Sequence, residues 1–168
     1  MAVFGKSLRR VPLIHGHDDP LGAAIRLRPS AIIVDVEPFV TPWNTNEEAL
    51  TSRITALEAA VPASIPIVFA TNSRRLPPKS WTGRGTFITR GRKPWRLSWV
   101  PAVDRLVVIG DQRLTDGLLA WRVNAAAFIL VPAPAVVPLW ARMHLLVGRF
   151  FNLLFLHESS KCSDGPEQ

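Results

Sequence analysis

Short apolar runs that close on polar residues alternate along this chain with stretches whose apolar residues recur every third or fourth position. "SAIIVDV" (30–36) is the clearest run. Its Ile and Val residues follow one another without polar interruption up to Asp35, the pattern of a strand covered on both faces. "NTNEEALTSRITALEAAV" (44–61) then changes period. Leu50, Ile54 and Leu57 fall on one helical face, Asn44 or Thr45 stands where a cap belongs, and Glu47 and Glu48 occupy the first turn. "IPIVFATN" (65–72) reads as a strand, "GTFITRGRKP" (85–94) holds a short strand-like piece, and "DRLVVIGDQ" (104–112) is another Ile/Val strand. "LTDGLLAWRVN" (114–124) predicts a helix and "AAAFILVPA" (125–133) a last strand.

Strands alternating with helices imply an α/β fold, a Rossmann-like parallel sheet flanked by helices. The expected divisions are an irregular segment at 1–30 with room for one short helix, a core at 31–133, an amphipathic helix at 134–157 and a flexible tail at 158–168. The Pro-rich "VPAPAVVP" (131–138) ends the core. In such sheets ligands gather at the carboxyl ends of the strands. The polar residues fall there: Asp35 and Glu37, Thr71 and Asn72, then Gly110 and Asp111. Two carboxylates separated by one residue, Asp35 and Glu37, have no packing purpose at the end of a buried strand. They suit a cation or a phosphate.

Composition narrows the picture. The 168 residues are 48% hydrophobic, which supports one domain with a real core and excludes a disordered chain. Lys and Arg number 20 against 13 Asp and Glu, a net charge of +7 that favours anionic partners. The single cysteine, Cys162, permits no internal disulfide and no thiol-based metal site. The first twenty residues lack the apolar core of a signal peptide, and no run of about 18 apolar residues predicts a transmembrane helix. The expected location is the cytoplasm.

Residues 59–103 contain no Asp or Glu, but carry eight Lys and Arg residues with Trp81, Trp95 and Trp99 among them. A solvated basic face with locally packed tryptophans comes first among the readings, contact with an anionic membrane second. Nucleic acid comes third, since no recognised motif supports it. In "LWARMHLLVGRFFNLLFLHE" (139–158), Arg142, Arg149 and Asn152 share one stripe of an otherwise apolar helix. Such a helix packs on a protein surface or lies peripherally in a membrane interface. "HGHDD" (15–19) reads as a flexible polar loop rather than a ligand set.

Taken together, Asp35-x-Glu37, Thr71-Asn72, Lys93 in "GRKP" and "GDQRLTD" with Asp111 and Asp116 resemble the haloacid dehalogenase superfamily of phosphotransferases. "VVIGDQRLTDGLLAWRVNAAAFILVPA" is similar to its YqeG-type, class IIIA capless phosphatases, the subgroup that includes phosphatidylglycerophosphate phosphatases. The resemblance implies a Mg²⁺-dependent phosphomonoester hydrolase. Asp35 would form an aspartyl-phosphate and Glu37 would be the general acid. Asp35, Asp111 and Asp116, with the carbonyl of Glu37, would hold Mg²⁺. Thr71, through its hydroxyl and backbone N–H, Asn72 and Lys93 would form the substrate-binding set, with Lys93 offsetting charge. Only 36 positions separate Asp35 from Thr71 and 22 separate Thr71 from Lys93, too few for a cap domain. An open site of this kind suits a bulky phosphorylated substrate, including a phospholipid precursor. The family pattern Asp-x-Asp-x-Thr reads here Asp35-Val36-Glu37-Pro38-Phe39. That departure keeps a second expectation open, a catalytically impaired relative that binds Mg²⁺ and phosphate as an interaction module.

Overall fold

The computed structural model describes residues 9–42, 45–132, 148 and 154–159. Its strands are β1 (Val11–His15), β2 (Ala31–Asp35), β3 (Ile67–Ala70), β4 (Thr86–Ile88), β5 (Leu106–Gly110), β6 (Ala127–Leu130) and β7 (Leu156–Glu158). Its helices are α1 (Pro20–Arg26), α2 (Glu47–Ala60) and α3 (Leu118–Arg122). The strands form one sheet in the order β4-β3-β2-β5-β6-β1-β7, and every pairing is parallel. This is an α/β Rossmann-like fold.

Apolar runs make this sheet because both of its faces are covered. Alternate residues of the strands divide between two cores. Ile32, Val34, Ile67, Phe69, Val107, Ile109 and Ile129 meet Leu21 and Ala24 of α1 and Leu50 and Ile54 of α2. Ile33, Val68, Val108 and Phe128 meet Leu119 and Ala120 of α3 and Leu156 of β7. β5, the middle strand, and β2 beside it have every residue buried.

Several expectations need correction. Of the segment 1–30 expected to be irregular, the described part is regular: Val11–His15 pairs with β6 and β7 inside the sheet, and the short helix is α1. Asp19 caps α1, its Oδ1 accepting the Gly22 N–H at 2.7 Å. The cap of α2 is Asn46, whose Oδ1 accepts the Ala49 N–H at 2.9 Å, in place of Asn44 or Thr45. The helix expected over 114–124 begins as a wide turn, Arg113–Gly117, before α3. The helix expected over 134–157 does not reach that far, because Leu156–Glu158 extends along β1. Most of that segment lies outside the described residues, as does the tail beyond 159. Two of its described residues pack on the domain: Gly148 is buried beside Arg113, and the rings of Phe155 and Trp121 lie 4.6 Å apart, whereas Leu154 is exposed. Among the described residues, no helix is long and apolar enough to cross a membrane.

Candidate active site

The chain moves outward from β2 through β3 to β4, then returns to place β5 on the other side of β2. That reversal leaves a crevice between the carboxyl ends of β2 and β5, where ligands bind in open parallel sheets. Asp35 closes β2, and Asp111 follows directly after β5. Asp116 returns to the same crevice through the wide turn, which Gly117 closes by donating its N–H to Gln112 O at 3.2 Å. Gly110 makes this return possible. A Cβ there would stand 2.4 Å from an Asp116 carboxylate oxygen, so only glycine lets that side chain lie over the strand end.

Lys93 enters from the loop after β4 and is almost wholly buried. Its ammonium donates to Asp35 Oδ1 at 2.6 Å, Asp116 Oδ1 at 2.8 Å and Ala70 O at 3.3 Å. Asn72 holds the lysine's main chain on both sides. Its Oδ1 accepts the Lys93 N–H at 2.6 Å and its Nδ2 donates to Lys93 O at 3.2 Å. Asn72, expected among substrate-binding groups, is thus placed to position Lys93.

Asp35, Asp111 and Asp116 each offer an oxygen within 4.8 Å of the others'. Lys93 donates to Asp35 and Asp116, whereas both oxygens of buried Asp111 have no hydrogen-bond partner. Three carboxylates against one ammonium leave charge uncompensated in a place that water does not screen. Burial, then the Asp116 charge, pushes the Asp111 carboxyl up to about 7. Burial, then Asp116, also raises Asp35 well above the usual carboxylate range, against the pull of Lys93. For Lys93, burial works against the charged form, but Asp116 and Asp35 outweigh it and raise the ammonium's pKa. A divalent cation fits these residues. It takes hard oxygen ligands, it supplies the charge that Lys93 alone does not, and Asp111 has both lone-pair sets to give.

Glu37 points elsewhere. Its Oε2 accepts the Thr71 hydroxyl at 2.5 Å, and its Oε1 accepts Ser73 Oγ at 3.2 Å and Arg75 Nε at 2.6 Å. The longer glutamate reaches across to the loop after β3, and its carboxylate is not among the three clustered oxygens. Thr71 donates its backbone N–H to Ile88 O at 3.0 Å, so both of its donors are engaged within the protein. Ser73 and Arg75 are site residues that the sequence reading missed. The alternation Thr71-x-Ser73-x-Arg75, which puts side chains on one side of an extended loop, was the available signal.

The fold and this crevice define a class: a parallel α/β protein with a buried lysine-bridged carboxylate cluster at its topological switch point. The chain matches no protein-family model, no curated protein and no solved structure.

Proposed function

We propose that the protein is a capless phosphatase of the haloacid dehalogenase type, hydrolysing phosphomonoesters with Mg²⁺. The observation that carries this is the Asp35–Lys93–Asp116 bridge beside an unpartnered Asp111, four of the motif residues at one strand-end crevice. Asp35, Asp111 and Asp116 would hold the cation, with the Glu37 carbonyl as a further ligand. When bound, Mg²⁺ would neutralise the carboxylates and the oxygens of the transferring phosphoryl group. Asp35 attacks phosphorus with a carboxylate oxygen. The ester P–O bond breaks, and the leaving oxygen takes a proton from Glu37. Water then attacks the aspartyl-phosphate, its proton returns to Glu37, and inorganic phosphate leaves. Lys93 orients the nucleophile and favours its charged form, and the bound cation would supply the rest of that charge compensation. The substrate class is a phosphorylated small molecule or a phospholipid precursor such as phosphatidylglycerophosphate, reached from the cytoplasm by peripheral contact with an anionic membrane.

A second reading has its own observation. Glu37 is tied by Arg75, Thr71 and Ser73, the opposite of an acid waiting for a leaving group. On this reading the protein binds Mg²⁺ and phosphate without turnover. Phosphate release from phosphatidylglycerophosphate and an aryl phosphate separates the two, measured with Mg²⁺, with chelator, and in Asp35→Asn and Glu37→Asp. The hydrolase reading expects Mg²⁺-dependent release, with Asp35→Asn slower by at least about a thousandfold, the scale of losing a nucleophile. Release that appears only in Glu37→Asp would establish the impaired relative instead.

A further inference from the structure

Glu37 leaves the end of β2 in extended backbone (φ −112°, ψ 129°), inside a turn that Thr41 closes by donating its N–H to Val36 O at 3.0 Å. Its side chain crosses to the loop after β3, where Thr71, Ser73 and Arg75 donate to its two oxygens. That loop is itself anchored. Gly91 donates its N–H to Thr71 O at 2.7 Å and Arg90 to Ser73 O at 3.0 Å, which ties it to the loop after β4. The Ser73 hydroxyl accepts the Arg75 N–H at 3.1 Å, and Arg75 Nη1 donates to Thr45 O at 3.2 Å. The Glu37 side chain is 6% exposed and that of Arg75 17%, so water screens their ion pair little.

These partners decide what Glu37 offers the crevice. Arginine donates and cannot accept, so the oxygen at Arg75 Nε presents a lone pair and not a proton. Both Glu37 oxygens accept from the loop, and neither belongs to the Asp35–Asp111–Asp116 cluster. Lys93 does not replace Glu37 as a proton donor, because its ammonium donates to Asp35 and Asp116. Asp111 is taken by the cation on the hydrolase reading. The crevice therefore has a nucleophile and charge compensation, but its acid is withheld. A positioned general acid contributes about 10²–10⁴-fold, and how much of that a substrate needs depends on its leaving group. An alkoxide is about as basic as hydroxide, whose parent water ionises at about 15.7. Carboxylic acids ionise near about 4, so a carboxylate departs without a proton.

We propose that the preferred substrates are phosphoric anhydrides, either acyl phosphates or phosphate–phosphate anhydrides, and that Arg75 is the positioning residue that sets this preference by holding Glu37 away. The inference rests on the Asp35 nucleophile and the cation of the hydrolase reading, and not on its acid step. Asp35 attacks phosphorus with a carboxylate oxygen. The P–O bond to the acyl group breaks, its electron pair leaves on the departing carboxylate, and no proton moves. The bond formed at Asp35 is of the same kind as the bond broken, one acyl phosphate exchanged for another. Water then attacks the aspartyl-phosphate, Asp35 departs as a carboxylate, and the two protons of that water leave on inorganic phosphate. A phosphate–phosphate anhydride follows the same course with phosphate as the leaving anion. Alkyl esters are disfavoured, because their departure needs Glu37 released from Arg75 and Ser73.

Mg²⁺-dependent phosphate release by the full chain from acetyl phosphate, pyrophosphate and ethyl phosphate tests this, with Asp35→Asn as the blank. The expected kcat/KM for one or both anhydrides exceeds that for ethyl phosphate by at least about a hundredfold, the lower end of an acid's contribution. Activity on acetyl phosphate alone identifies acyl phosphates, and activity on pyrophosphate alone the phosphate–phosphate class. Arg75→Met frees Glu37 and is expected to narrow the gap at least about tenfold by raising turnover of ethyl phosphate. That gain disappears in Arg75→Met/Glu37→Gln. Ser73→Ala removes a single donor and narrows the gap in the same direction, which decides the matter if unfolding curves show that Arg75→Met does not fold. A smaller gap in the native chain, a gap that both variants leave intact, or a gain that survives Glu37→Gln overturns the inference and leaves the hydrolase reading standing. No release above the blank from any of the three overturns the hydrolase reading and the inference with it.

Discussion

Lys93 is the residue on which the crevice balances. Its ammonium donates to two buried carboxylates at 2.6 and 2.8 Å, and Asn72 fixes its backbone. Replacing it with methionine removes the cation and keeps much of the volume. Leaving buried carboxylates unpaired costs about 3–5 kcal/mol. Lys93→Met is therefore expected to lower unfolding free energy by that order in urea titrations without metal, and Mg²⁺ should stabilise the variant more than the native chain. The carboxyls make a second prediction. Asp111 is raised to about 7, and Asp35 is raised as well, so the folded chain keeps protons that the unfolded chain gives up near pH 4. That contribution to stability is complete below the unfolded pKa and is lost as pH climbs through the folded one. The metal-free protein should thus lose melting temperature between about pH 4 and 7 from these groups. Chelated thermal scans of native protein and Asp111→Asn check it, the variant losing less. At this scale the sequence displayed residue types well. Asp35, Lys93, Asp111 and Asp116 lie together at one crevice. Side-chain direction was not legible, because whether Glu37 turns to the cluster or to Arg75 depends on one methylene and on the path of a loop folded against it.

Among the elements, the buried Ile/Val strands were legible because a sheet covered on both faces writes itself as uninterrupted apolar runs. β1 was not. Its "VPLIH" contains Pro12, which argues against an inner strand, and it is flanked by Arg10 and Gly16. The fold accommodates Pro12 because it pairs on the side of short β7, opposite His157. β7 itself was hidden inside a run with helical periodicity. The membership of β1 in the core has a measurable consequence. Leu13 is 1% exposed and packs with Phe128 and Leu156. Leu13→Ala should cost about 2–5 kcal/mol in denaturant unfolding, whereas a strand merely resting on the domain would lose well under 1 kcal/mol.

Across the whole molecule, the positive charge divides into two populations. Lys93 and Arg75 serve the crevice, and Arg84 donates to Val61 O at 2.7 Å and Ile65 O at 2.9 Å beyond the end of α2. Trp81 and Trp99 pack locally and donate to Glu58 and Gly91 O, as the plainest reading of that stretch expected. Trp95 is 75% exposed, with the Arg122 guanidinium 5.9 Å from its ring. The basic run is therefore not one uniform surface, a distinction that composition alone cannot draw. What unites the molecule is the switch point, where two neighbouring inner strands deliver acids that Lys93 alone does not neutralise. Titration of the metal-free chain with Mg²⁺ near pH 7, followed by calorimetry in two buffers of different ionisation heat, tests that most directly. A cation bound stoichiometrically to the chain with release of protons, and lost in Asp111→Asn, is the predicted result. No binding, or binding indifferent to Asp111, would contradict it.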